Sequence, residues 1–164
     1  MNIANISISK PECQIDVLQE EIPMESFTVM FVDDETDYVA SLIKRMQRRN
    51  IIAYGASSGE TALEILSTKH MEIDVVVLDV RMPGMDGIAT LKEVKKRYPL
   101  IEVVMLSGHA NLAVAKEGME MGAFDYLLKP VDLDELLYKL QDAYRKKYLQ
   151  EAKIAGLERV NAQP

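Results

Sequence analysis

Five short apolar runs, each followed by a stretch with helical spacing, constrain this chain more than any other feature. The first, Phe27-Thr28-Val29-Met30-Phe31-Val32, is rich in β-branched and aromatic residues and stops at acids. Similar runs stand at Ile51-Ile52-Ala53-Tyr54, from Ile73 to Leu78, at Ile101-Glu102-Val103-Val104-Met105-Leu106 and at Ala123-Phe124-Asp125-Tyr126-Leu127. A near-continuous apolar run suits a strand covered on both faces of a parallel sheet. Between the runs, Val39, Leu42, Ile43 and Met46 stand at i, i+3, i+4 and i+7, with Lys44, Arg45, Arg48 and Arg49 off that stripe. Ala62, Leu63, Ile65 and Leu66 follow Ser58, an expected N-cap. Ile88, Leu91 and Val94 form a third stripe closed by Tyr98-Pro99, and Leu133, Leu136, Leu137 and Leu140 form the last. The segment Asn111 to Met121 is the weakest helix, with a thin stripe and Gly118 inside it. Strands alternating with helices imply right-handed βαβ units and a parallel sheet with helices on both faces. From Phe27 to Tyr148 the pattern fills about 120 residues, the size of one domain.

Composition narrows the function classes. The 164 residues carry a formal net charge of −7, so direct nucleic-acid binding through a phosphate-neutralising surface is not expected. Cys13 is the only cysteine, which excludes an intramolecular disulfide or a cysteine zinc cluster and fits a reducing, cytoplasmic setting. No apolar run approaches the ~18 residues of a membrane span, and no secretory signal opens the chain. Residues 1–26 hold one basic and five acidic groups, are interrupted by Pro11 and Pro23, and are expected to form a flexible or loosely docked acidic extension. Residues 149–164 are expected to form a C-terminal helical tail, with Gly156 as the expected stop of the helix and Leu137, Tyr144, Tyr148 and Ala155 as a partner-facing stripe. Dimerisation through that tail is an alternative, although its register is too broken for a coiled coil.

In an open α/β sheet the ligand site lies beyond the C-terminal ends of the strands. Here the first strand ends in Asp33-Asp34-Glu35, the third in Asp79, the fourth in Ser107-Gly108 and the fifth just before Lys129-Pro130. Singly, Asp33 or Asp34 reads as a helix cap, Ser107 as a turn residue and Lys129 as a solvated lysine. Together they put three carboxylates, a hydroxyl and an ammonium on one surface. Clustered carboxylates raise each other's pKa, and a hard divalent cation such as Mg²⁺ relieves the conflict. A carboxylate beside Mg²⁺ and a lysine is suited to accept a phosphoryl group as an acyl phosphate.

These residues resemble the receiver domain of two-component response regulators. The signatures are Val32-Asp33-Asp34-Glu35, then Val77-Leu78-Asp79-Val80-Arg81-Met82-Pro83-Gly84-Met85-Asp86-Gly87, Leu106-Ser107-Gly108-His109-Ala110 and Gly122-Ala123-Phe124-Asp125-Tyr126-Leu127-Leu128-Lys129-Pro130. The resemblance covers residues 27–148 and implies a flavodoxin-like (βα)5 fold, a five-stranded parallel sheet of order 2-1-3-4-5. It implies that Asp79 accepts a phosphoryl group from a sensor histidine kinase or phosphotransfer protein. It further implies Mg²⁺ held by Asp33, Asp34, Asp79 and the Arg81 backbone carbonyl, with Asp33 acting partly through water. Lys129 and Ser107 would contact the phosphoryl oxygens, Tyr126 would change rotamer as Ser107 moves, and the Lys129–Pro130 peptide is often cis in the family.

A new dianion shifts populations toward whichever state brings Ser107 and Lys129 closer, and the weak helix after Ser107 is the element expected to move. Arg81, two residues after Asp79, is expected to overhang the acyl phosphate and shield it from water, and His109, two after Ser107, reads equally as a residue that positions water and as an exposed histidine without a role. The chain reads as a phosphoacceptor signalling domain rather than an enzyme, acting on a downstream protein partner or an output domain. A Mg²⁺-dependent phosphatase with an aspartate nucleophile is disfavoured because such enzymes commonly carry an acid where Arg81 stands. A pseudo-receiver that takes no phosphate is disfavoured by the intact acids, Ser107 and Lys129. Two architectures fit, a stand-alone receiver and a receiver cut from a longer regulator, and the N-terminal extension tilts the reading toward the first.

Overall fold

The computed structural model describes residues 26–162, so the expected acidic extension lies outside the described residues apart from Ser26. Five strands alternate with five helices: β1 Thr28–Val32, α1 Thr36–Gln47, β2 Ile52–Ala56, α2 Gly59–Lys69, β3 Val75–Asp79, α3 Gly87–Arg97, β4 Glu102–Ser107, α4 Leu112–Glu120, β5 Asp125–Leu128 and α5 Leu133–Asn161. All pairings are parallel, in the order β2-β1-β3-β4-β5. The expected fold and strand order are therefore those of the molecule.

The two-residue period of a strand sends alternate side chains to opposite faces. Met30, Val32, Val76, Leu78, Val103 and Met105 pack in one core with Leu63, Leu66, Leu91 and Val94 of α2 and α3. Val29, Phe31, Val75, Val77, Val104 and Leu106 pack in the other with Leu42 and Met46 of α1 and Leu136 and Leu140 of α5. Ser58 caps α2 as expected, its hydroxyl accepting from the Thr61 amide at 3.1 Å, a bond of the kind that contributes about 1 kcal/mol. In α4 only Gly118 is buried, which agrees with the thin stripe read from the sequence.

Helix α5 departs from the expectation in two ways. It runs unbroken through Gly156 to Asn161, because a single glycine weakens a helix by only about 1 kcal/mol relative to alanine. The stripe assigned to a partner instead covers this molecule's own core: Tyr144 is buried, and Leu137 and Tyr148 pack against the α1/α5 layer. Ala155 is exposed. The adjacent lysines anchor α5 to the N-terminal ends of two strands. Lys147 reaches Asp74 at 2.7 Å and Lys146 reaches the buried Glu102 at 3.1 Å. Lys95 of α3 approaches the same Glu102 carboxylate at 3.7 Å, and Asp74 also accepts from the Thr28 amide at 2.9 Å. From Leu149 to Arg159 every residue is exposed.

Candidate functional site

The strand order reverses direction between β1 and β3, so their C-terminal ends bracket the crevice in which doubly wound sheets bind ligands. Asp33 follows β1 and Asp79 ends β3. Both are buried, and Asp34 beside them is exposed. One carboxylate oxygen from each of Asp33, Asp34 and Asp79 lies within 4.8 Å of the others. Helix α1 has Glu35 as its N-cap residue and no side-chain cap, so Asp34 is not spent on capping it, while Asp33 accepts from the Glu35 amide at 2.9 Å.

Lys129 reaches this cluster from the end of β5 across the sheet. Its Nζ lies 2.5 Å from Asp33 Oδ2, 3.5 Å from Glu35 Oε1 and 3.7 Å from Asp79 Oδ1. Burial opposes the ammonium charge, but the hydrogen bond to Asp33 and the charges of Asp33, Asp79 and Glu35 outweigh it and raise the Lys129 pKa. Burial, followed by the Asp33 charge, pushes Asp79 up to about 6, against the opposing pull of Lys129 and the Val80 amide, with Asp34 adding to the rise. The lysine only partly relieves the crowding of the acids. A hard, oxygen-only donor set with unrelieved negative charge fits a divalent cation of the Mg²⁺ type.

Ser107 and Tyr126 stand on the other side of the sheet, the alternation that buries Leu106 and Leu127 toward α1 and α5 sending them toward α3 and α4. The buried Ser107 hydroxyl accepts from the His109 amide at 3.2 Å and lies 3.2 Å from the His109 carbonyl oxygen. The Tyr126 hydroxyl donates to that same carbonyl at 3.1 Å. The His109 peptide thus joins the two residues singled out for the switch, while its side chain and that of Arg81 are exposed. The Lys129–Pro130 peptide is cis.

Two features of the loop after β3 escaped the sequence reading. A Cβ at Gly87 would stand 2.2 Å from the Asp79 carbonyl oxygen, so only glycine lets α3 start this close to Asp79. Gly84 has φ +74°, and the next residue, Met85, donates its amide to Glu60 Oε1 at 2.9 Å. Glu60 therefore ties the loop that carries Arg81 to α2. An exposed glutamate on a helix gives no sequence signal of such a role, nor does Tyr38, whose ring lies 4.8 Å from Lys129 Nζ.

This sheet order, with an acidic crevice and a lysine reaching into it, defines a doubly wound domain whose site suits a divalent cation beside an anionic oxygen ligand. The chain belongs to the response regulator receiver domain family, which matches residues 29–141. It is 38% identical over 112 residues to the DNA-binding transcriptional regulator NtrC of Klebsiella pneumoniae, covering 68% of this chain and 24% of that protein. It is 37% identical over 115 residues to the regulatory protein AtoC of Escherichia coli, covering 70% and 24%. The chain thus spans about a quarter of the length of these curated relatives. Among solved structures, a receiver domain protein from Clostridium thermocellum is similar with TM-score 0.72 and 32% identity, over 76% of this chain and 98% of that one. A CheX–CheY–BeF3–Mg²⁺ complex from Borrelia burgdorferi is similar with TM-score 0.66 and 30% identity, over 72% and 89%.

Proposed function

We propose that Asp79 is the phosphoacceptor of this receiver, with Lys129 and Ser107 as the groups that meet the transferred phosphoryl oxygens. The observation that carries this reading is Lys129, held within 3.7 Å of both buried acids in one crevice. In the transfer, an Asp79 carboxylate oxygen forms the new O–P bond as the N–P bond of a donor phosphohistidine breaks, and the leaving nitrogen keeps the electron pair and takes up a proton. Lys129 turns from Asp33 toward the incoming charge, and the Ser107 hydroxyl exchanges the His109 peptide for a phosphoryl oxygen. Tyr126, bonded to the same peptide, is thereby free to change rotamer. Asp33, Asp34 and Asp79, with the Arg81 backbone carbonyl, would hold Mg²⁺, which when bound supplies positive charge against the phosphoryl oxygens. A solved relative recorded with BeF3 and Mg²⁺ supports this cofactor.

The donor in this reading is a sensor histidine kinase or phosphotransfer protein, and the reader of the switch is a downstream protein or output domain. Residues 27–148 make up the receiver and residues 149–164 a helical tail available for contacts, a second copy of the chain among them. Incubation with a small acyl-phosphate donor and Mg²⁺ tests the assignment by intact mass. One phosphoryl group is expected on the wild type and none on Asp79→Asn. No addition to the wild type would support the pseudo-receiver, and turnover of phosphate esters the phosphatase. Arg81, exposed beside Asp79, is expected to shield the acyl phosphate, so Arg81→Ala should hydrolyse faster once phosphorylated. An unchanged or slower rate would remove that role.

A further inference from the structure

Tyr38 sits on the first turn of α1, half-buried against the α1/α5 core, with its ring under the Lys129 ammonium. The Nζ–centroid distance of 4.8 Å is within the range of a cation–π contact, and only 15% of the Lys129 side chain is exposed, so the contact is partly desolvated. Lys129 therefore has two kinds of partner: carboxylates from Asp33, Glu35 and Asp79, and the face of one aromatic ring. The two buried carboxylates do not stay available during the reaction described above, and the third, Glu35, is 70% exposed to solvent that screens it. Asp33 is in the group of acids suited to hold the cation, and the Asp79 carboxylate becomes the acyl phosphate. The ring is not consumed by the reaction. Burial holds the Tyr38 phenol above its ordinary pKa, which keeps the ring neutral beside these acids.

We propose that Tyr38 is a positioning residue for phosphoryl transfer, its ring face keeping the Lys129 ammonium aimed at Asp79 when Asp33 is engaged by the cation. The inference rests on the phosphoacceptor reading of Asp79 and adds to it a residue that does not touch the phosphoryl group. Its chemistry is specific, because a flat π face is required and the hydroxyl is not. Phenylalanine should therefore replace it, and leucine, which fills similar space without a π face, should not.

The test compares Tyr38→Phe and Tyr38→Leu in the full chain, in wild-type and Lys129→Ala backgrounds, with initial rates of phosphorylation from a small acyl-phosphate donor at saturating Mg²⁺. Tyr38→Leu is expected to slow uptake by about 3- to 10-fold and Tyr38→Phe by less than about 2-fold, the size of one partly desolvated cation–π contact. In the Lys129→Ala background the leucine substitution should have no further effect, since its partner is gone. A purely packing role would slow both backgrounds alike, and that result would overturn the proposal, as would equal rates for leucine and phenylalanine. Thermal melts and Mg²⁺ titrations followed by melting temperature confirm that each variant is folded and loaded. Equal uptake by Asp79→Asn and wild type would overturn the phosphoacceptor reading and the inference with it. Loss of uptake in Asp79→Asn with unchanged rates in Tyr38→Leu would overturn the inference alone.

Discussion

Lys129→Ala is expected to slow phosphorylation from a small acyl-phosphate donor by about 100-fold, the usual cost of deleting one preorganised group that meets developing charge on a transferred oxygen. The same substitution should destabilise the metal-free protein at neutral pH by about 3 kcal/mol, because two buried carboxylates lose their cation. Asp33 and Asp79 both face Lys129 Nζ, at 2.5 and 3.7 Å, Glu35 approaches it at 3.5 Å, and the uncharged Tyr38 ring lies 4.8 Å away. Urea unfolding with and without Mg²⁺ separates the two effects. Mg²⁺ should recover most of the lost stability, since it supplies charge to the same acids, and little of the rate, since it does not replace the ammonium. A variant that phosphorylates at the wild-type rate would remove Lys129 from the chemistry.

Asp79→Asn should have the opposite effect on stability. The Asp79 carboxyl, pushed up to about 6 chiefly by burial and by Asp33, lies above the value of about 4 it takes in an unfolded chain. Below pH 4 the group is protonated in both states and costs nothing. Between pH 4 and 6 the unfolded chain ionises first, the native state binds more protons, and stability falls as pH rises. Above pH 6 the full cost remains. After discounting for solvent screening at the mouth of the crevice, it is about 1–2 kcal/mol. Without Mg²⁺, the Asn variant should therefore melt a few degrees above the wild type at pH 7.5, and the difference should shrink toward pH 4. Adding Mg²⁺ should reverse the order, because the wild type binds the cation with one more carboxylate. Melting curves over this pH range, with and without the metal, check both signs. A variant less stable than the wild type at pH 7.5 without Mg²⁺ would contradict the crowding of the acids.

The strands were legible because burial on both faces demands apolar runs, and the order of the acids at their ends was legible because each run stops where the crevice begins. Boundaries were less so. Strand β2 continues to Ala56 through Gly55, since both residues pair with β1 although neither has the side chain that marks a strand. Strand β5 starts at Asp125 rather than Ala123, where pairing with Val104 begins. An apolar helical stripe shows that a face is covered and not what covers it, so Tyr144 and Tyr148 read as a partner surface when they close this molecule's own core. The grouping of Asp33, Asp34, Asp79 and Lys129 was legible from topology alone. The Tyr38 contact was not, because it depends on where a lysine 91 positions later in the chain comes to rest.

Helix α5 has a mechanical consequence. Its 29 residues span about 43 Å, and two of its charge attachments, Lys146 and Lys147, lie near its middle at the end of the sheet opposite Asp79. It is a cantilever, clamped to the base of β3 and β4, with a free arm of about 20 Å beyond Tyr148. A partner gripping that arm would sense rotation of the sheet's base as a displacement multiplied by the arm's length.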